Sequence, residues 1–194
     1  NNFKNFIRRR PLGVVFVIAP WNYPYLTAVN SIIPAMAAGN TVILKHSAQT
    51  PLCAEQLYQS AKKTLPKDVF NYLHLNHKDG LKIVSDSRIN FVSFTGSVKA
   101  GYEVQKATHT KFIDMALELG GKDPAYARFD CDLDKTVENL VDGSFFNSGQ
   151  SCCGIERIYV DEKIYDKFLE SFISKTYNYN FGNPLKKETN LGPV

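Results

Sequence analysis

Residues 14–19 form an unbroken apolar, β-branched run, and residues 41–44 repeat the pattern. A strand that is apolar on both faces has to be covered on both faces, which is the situation of a buried strand in a parallel sheet. Further strand-like runs follow at 69–73, 91–94 and 112–119, with helix-length segments between them. Residues 26–38 carry small and apolar side chains at helical spacing, and Gly39 with Asn40 is a stop signal. Thr50 and Pro51 predict another helix start, with threonine capping the orphan amides and proline at the first helical position, and Pro66 ends that helix near residue 65. A short helix is expected over 81–85, and Gly96-Ser97 opens one that reaches about residue 108. This alternation predicts an α/β fold with a doubly wound, Rossmann-like parallel sheet. At Gly120-Gly121 the texture breaks, so a boundary is expected between domains 1–120 and 121–194. The second contains a short strand over 125–127, a helix from Asp132 to about residue 147, a strand over 157–160 and a helix over 161–177. It reads as a second α/β domain that begins here and does not finish.

Composition narrows the function classes. The chain has 194 residues, 44% hydrophobic and 22% charged, as in folded globular proteins. Its net charge of +4 is modest, and the basic run Arg8-Arg9-Arg10 has no interleaved aromatics, so nucleic acid is not an expected partner. No apolar stretch approaches the roughly 18 residues of a membrane span and no signal peptide precedes the first strand, so a soluble, cytoplasmic protein is expected. Cys53, Cys131, Cys152 and Cys153 fit neither a disulfide framework nor paired zinc spacing, which leaves free thiols. His74 and His77, at i, i+3 spacing, are not read as metal ligands, and no metal site is expected.

Chemistry concentrates at Phe145-Phe146-Asn147-Ser148-Gly149-Gln150-Ser151-Cys152-Cys153, a helix end running into a glycine turn and then two thiols. A cysteine at such a turn is accessible and receives backbone N–H groups, which favour the thiolate and can hold an oxyanion. Taken alone, a cysteine is more often a small buried hydrophobe. By the same standard Asn22 alone is a turn residue, Glu118 a solvated carboxylate and Lys45 a surface lysine.

The segment resembles the active-site signature of the aldehyde dehydrogenase superfamily, phenylalanine-x-asparagine-x-glycine-glutamine-x-cysteine, with Cys152 in the nucleophile's place. Leu117-Glu118-Leu119-Gly120-Gly121-Lys122 resembles a second signature, with Glu118 and Cys152 34 residues apart as in the family. Pro20-Trp21-Asn22-Tyr23-Pro24, Phe94-Thr95-Gly96-Ser97, Leu44-Lys45 with Thr50-Pro51-Leu52, and the stretch from Gly182-Asn183-Pro184 to Gly192-Pro193 resemble further family segments, so the likeness covers the whole chain.

The resemblance implies oxidation of an aldehyde to a carboxylic acid with NAD or NADP, through a Cys152 thiohemiacetal and thioester. Asn22 would bind the oxyanion, and Glu118, partly desolvated so that its pKa rises, would activate the hydrolytic water. It implies a dinucleotide-binding domain over 1–120 and a partial catalytic domain over 121–194. Cofactor contacts would fall at Trp21, Lys45, Ser47, Gly96, Ser97, Leu119 and Gly120. Gly96-Ser97 would present a helix N-terminus to the pyrophosphate, Lys45 would reach ribose hydroxyls, and the apolar helix after Pro51 would wall the adenine. The complete protein would be a homo-oligomer, dimer or tetramer, with an N-terminal region and a long C-terminal part that this chain lacks. Many relatives carry lysine-proline-serine-glutamate where this chain has Lys45-His46-Ser47-Ala48. Ala48 can neither accept ribose hydrogen bonds nor repel a 2′-phosphate, so NADP use becomes plausible. Two other readings stand: a CoA-acylating relative, against which Glu118 argues, and a non-catalytic binding or structural remnant.

Overall fold

The computed structural model describes residues 3–194. They form two compact units, one ending at Leu119 and the other spanning Gly120–Val194. In the first, the elements run β1 (Val14–Ile18), α1 (Pro24–Ala37), β2 (Thr41–Lys45), α2 (Pro51–Ala61), β3 (Phe70–Tyr72), α3 (His77–Ser85), β4 (Phe91–Thr95), α4 (Val98–Thr108) and β5 (Asp114–Glu118). The five strands are parallel throughout and lie in the order β3-β2-β1-β4-β5.

Both faces of this sheet are covered, which is why β1 reads as a continuous apolar run. Val15 and Val17 pack with Ala28 and Ile32 of α1 and Ala54 of α2. Phe16 points to the opposite face, against Val84 of α3 and Val104 of α4. Full burial of side chains such as Phe16 and Val17 contributes roughly 1.5–3 kcal/mol each. The sheet is therefore doubly wound, as the alternation predicts. The stop signal after α1 also works in detail. Gly39 takes a left-handed φ of 86°, and the buried Asn40 accepts from the amides of Leu12 and Gly13 while donating to the Ala35 carbonyl. One side chain thus closes α1 and fixes the chain's entry into β1.

Several boundaries differ from the sequence reading. Helix α3 starts at His77 rather than residue 81, because the Asn76 side chain caps it by accepting from the Asp79 amide. Helix α2 ends at Ala61, and residues 62–65 continue as turns. Thr50 does stand at the N-cap of α2, yet its side chain makes no capping bond. Its hydroxyl lies 3.1 Å from Nδ1 of His46 instead. Strand β5 begins at Asp114, with Phe112 fully exposed before it.

The second unit runs β6 (Asp123–Ala127), α5 (Leu133–Phe145), a 3-10 turn at Phe146–Gly149, β7 (Ile155–Val160), a second 3-10 turn at Glu162–Ile164 and α6 (Tyr165–Thr176). Strands β6 and β7 are parallel, and Ala127, Val137, Val141 and Phe168 form the core between sheet and helices. Asp132 caps α5 through the Lys135 amide. Asp161 caps the 3-10 turn, so α6 starts four residues later than the sequence suggests.

Among the described residues, no helix is long and apolar enough to cross a membrane. No cluster of three or more His, Cys, Asp or Glu that could hold a metal ion occurs among them either. His74 does have a carboxylate partner that sequence distance conceals: Glu55 of α2, at 2.8 Å.

Candidate active site

In an open parallel sheet, ligands bind outside the carboxyl ends of the strands, where neighbouring connections leave in opposite directions. The order β3-β2-β1-β4-β5 puts that switch point between β1 and β4. The residues singled out in the first unit follow these strand ends. Trp21 and Asn22 come after β1, Lys45 and Ser47 close or follow β2, Gly96 and Ser97 follow β4, and Glu118 and Leu119 close or follow β5. Backbone hydrogen bonds extend the ladders into this edge, from the Ala19 amide to the Lys45 carbonyl at 3.1 Å and from the Gly96 amide to the Glu118 carbonyl at 2.9 Å.

A groove of about 300 Å³ opens at the switch point, lined by Ile18, Lys45, Phe94 and Ser97 with residues of α3 and α4. Lys45 is only 3% exposed at its base, and burial pushes its pKa down. Its Nζ lies 3.4 Å from the His46 carbonyl. Gly80 of α3 gives the lysine stem its room, since a Cβ there would sit 3.0 Å from Lys45 Cδ. The walls of this groove are α3 and α4, while α2 packs on the other face of the sheet. Ser97 caps α4 by accepting from the Ala100 amide at 3.2 Å, which leaves its hydroxyl hydrogen to donate. Ser47 accepts from the Gln49 amide at 3.3 Å. A second cavity of about 380 Å³, at Tyr58, Leu65 and Phe70, lies at the amino end of β3, away from the ligand-binding edge of such sheets.

Trp21 is exposed and Asn22 half-buried. Glu118 is exposed rather than partly desolvated. Strand β5 is an edge strand whose Met115 and Leu117 face the core, so alternation turns Asp114, Ala116 and Glu118 outward.

In the second unit, Cys152 and Cys153 are exposed and follow an unusual turn. Asn147, Ser148 and Gly149 all take left-handed conformations, with φ of 53°, 58° and 72°. Two of them are not glycine, and such residues cost of order 1–3 kcal/mol each unless the surroundings hold them. One tie is the Ser148 hydroxyl, which donates to the Gly192 carbonyl at 3.0 Å. Among the described residues, the Cys152 amide donates to no acceptor, which leaves it available to an oxyanion. The Cys153 sulfur lies 3.2 Å from Ser151 Oγ.

Gly120 and Gly121 are more than a joint. A Cβ on Gly121 would lie 2.7 Å from the backbone carbonyl oxygen of Cys152. Because that oxygen belongs to the main chain, Gly121→Ala is expected to displace one segment or the other and to destabilise the second unit by about 1–3 kcal/mol. Thermal denaturation measures this, and an unchanged midpoint would show that the close approach carries no weight. Gly80, Gly121, Ser148 and His46 escape notice in the sequence. Apart from the contact of His46 with Thr50, their roles depend on neighbours between 22 and 44 residues away, and only the buried, non-prolyl His46 after Lys45 leaves a local trace.

Residues 1–194 match the model of the aldehyde dehydrogenase family. The chain is 40% identical to a lactaldehyde dehydrogenase of Methanocaldococcus jannaschii, over 97% of this chain and 42% of that one. It is 34% identical to a D-glyceraldehyde dehydrogenase (NADP(+)) of Picrophilus torridus, over 100% of this chain and 39% of the relative. The crystal structure of an NAD-dependent aldehyde dehydrogenase from Sinorhizobium meliloti superposes with a TM-score of 0.90 at 32% identity, covering 93% of this chain and 36% of the other. The chain thus spans about two fifths of the length of the relatives it matches.

Proposed function

This chain belongs to the aldehyde dehydrogenase family, and on that premise we propose that the full-length protein oxidises an aldehyde to a carboxylic acid with NAD or NADP as hydride acceptor. The observation that carries the reading is the alignment of Trp21, Asn22, Lys45, Ser47, Gly96, Ser97 and Glu118 along the carboxyl ends of β1, β2, β4 and β5. The domain ending near residue 120 binds the dinucleotide, and that from 121 carries the nucleophile.

The Cys152 thiolate adds to the carbonyl carbon, and the π pair moves to oxygen as an oxyanion. Asn22 and the Cys152 amide hold that charge, a contribution worth about 3 kcal/mol in other enzymes. The cofactor, when bound, supplies the hydride acceptor. Loss of hydride from the thiohemiacetal carbon restores the C=O bond and leaves a thioester on Cys152. Glu118 takes a proton from water, the resulting hydroxide attacks the thioester, and the carboxylic acid leaves as the thiolate is regenerated. Retention of Glu118 favours water over CoA as the acceptor.

We assign the dinucleotide to the groove at the switch point, where the N-terminus of α4 would face the pyrophosphate and Lys45 in the lining would supply a donor; the family resemblance adds Leu119 and Gly120 to the cofactor contacts. Lys45, His77 and Lys99 line the groove against one carboxylate, Glu103. With Ala48 where a ribose-binding glutamate would repel a 2′-phosphate, the proposal extends to NADP or dual use. Lys45→Ala is expected to weaken either cofactor by about 10- to 100-fold, the range of a charge-assisted hydrogen bond. Titration calorimetry with both cofactors tests this. Failure to bind either one, or an unchanged affinity in Lys45→Ala, would remove the groove from the account. The four free cysteines fit work in the reducing cytoplasm, and we assign the complete protein a homo-oligomeric state.

A further inference from the structure

His46 is 4% exposed, yet both ring nitrogens have partners. Nε2 lies 2.8 Å from the Pro24 carbonyl in the first turn of α1, and Nδ1 lies 3.1 Å from the Thr50 hydroxyl at the start of α2. A carbonyl can only accept, so Nε2 carries the proton. In the neutral ring Nδ1 is then an acceptor and the Thr50 hydroxyl donates to it. Thr50 forgoes its helix-capping bond in this arrangement, a bond ordinarily worth about 1 kcal/mol. The β1–α1 turn likewise has no side-chain cap from Tyr23. The first turns of both helices, one following Trp21-Asn22 and the other following Lys45-Ser47, are thus joined through a single imidazole.

We propose that His46, held as the neutral Nε2–H tautomer, is the positioning residue that locks the β1–α1 turn carrying Asn22 to the β2–α2 turn carrying Lys45 and Ser47. The effect on catalysis rests on the proposed role of Asn22; the strut itself does not. The charges acting on the ring are those of Lys45 on β2 and His74 after β3; the other titratable groups of the helices it joins are Tyr25 on α1 and Cys53, Glu55 and Tyr58 on α2. Glu55 is already paired with His74.

Burial pushes the His46 pKa below its ordinary 6.5, and the charges of Lys45 and His74 push the same way, against the hydrogen bonds to the backbone at Pro24 and Ser47. The unfolded chain therefore takes up the proton first. Stability from this contact is full above pH 6.5 and falls as the pH drops from 6.5 toward the lowered folded value. Protonation of the folded ring below that window leaves Nε2–H donating to the Pro24 carbonyl and turns the Thr50 hydroxyl from donor to acceptor.

The test uses the chain without substrate or cofactor. Long-range ¹⁵N–¹H spectra of histidine-labelled protein are expected to identify His46 as the Nε2–H tautomer at pH 7.5, titrating below 6.5. Hydrogen–deuterium exchange at pH 7.5 of the amides of residues 22, 23 and 25–28 is expected to accelerate about tenfold or more in His46→Ala. In His46→Gln, whose amide can still donate to the Pro24 carbonyl, exchange stays slow. The proposal is overturned by an Nδ1–H tautomer, by His46→Ala exchange equal to wild type, or by His46→Gln exchange as fast as that of His46→Ala. Because no dinucleotide is present, those outcomes leave the aldehyde dehydrogenase reading untouched, just as a failure to bind dinucleotide leaves the strut untouched.

Discussion

Cys152→Ser is expected to lower turnover of the full-length protein by about 10³-fold or more, equivalent to about 4 kcal/mol of lost transition-state stabilisation. A serine hydroxyl is not ionised near neutral pH and is a poor nucleophile without an adjacent base. Dinucleotide affinity should remain unchanged, since the groove is lined entirely by residues of the first unit. Cys153→Ser makes the control: also exposed and adjacent in sequence, it should retain turnover. Steady-state kinetics on the pair decides the assignment, and loss of activity in Cys153→Ser with retention in Cys152→Ser would reverse it.

The second large effect is expected at Glu118. Replacing it with glutamine keeps size and polarity but removes the ability to take a proton, so acylation proceeds and hydrolysis stalls. Stopped-flow measurements should show a burst of about one reduced cofactor per Cys152, followed by a steady rate about 10²–10⁴-fold below that of the wild type. A proportionate fall of burst and steady phases would place Glu118 before the thioester instead. The exposure of Glu118 at the end of edge strand β5 keeps the carboxylate accessible to water, as a residue delivering water requires.

Much of the fold is legible from the chain because its strands announce themselves. Val15, Phe16 and Val17 give one apolar run, since the sheet is covered on both faces, and this is enough to require helices above and below it. What such a run cannot say is which helix covers which face. The structure supplies that pairing: α1 and α2 pack on one face, α3 and α4 on the other. The start of α3 is missed because His77, Lys78 and Asp79 give no apolar repeat; its signal is the cap residue Asn76. Thr50 shows the opposite failure, a correct helix boundary with the wrong partner, because a buried histidine on the neighbouring strand end competes for the hydroxyl.

The candidate site divides in the same way. Motif residues name Cys152, Glu118, Asn22 and Lys45, and the strand ends explain why those of the first unit fall on one edge. The geometry that serves them is silent in sequence. Asn147 and Ser148 carry no mark of left-handed backbone, and Gly121 is one of two adjacent glycines until its approach to the Cys152 carbonyl sets it apart from Gly120, beside which nothing lies within 4 Å of a Cβ.

The central claim is that a thioester forms on the sulfur of residue 152, and peptide mass spectrometry of the Glu118→Gln protein, quenched after mixing with an aldehyde and oxidised cofactor, tests it most directly. The expected result is an acyl group on the Cys152 peptide that requires the cofactor and is absent from Cys152→Ser. Acylation at Cys153, or turnover in Glu118→Gln with no adduct on any cysteine, would contradict it.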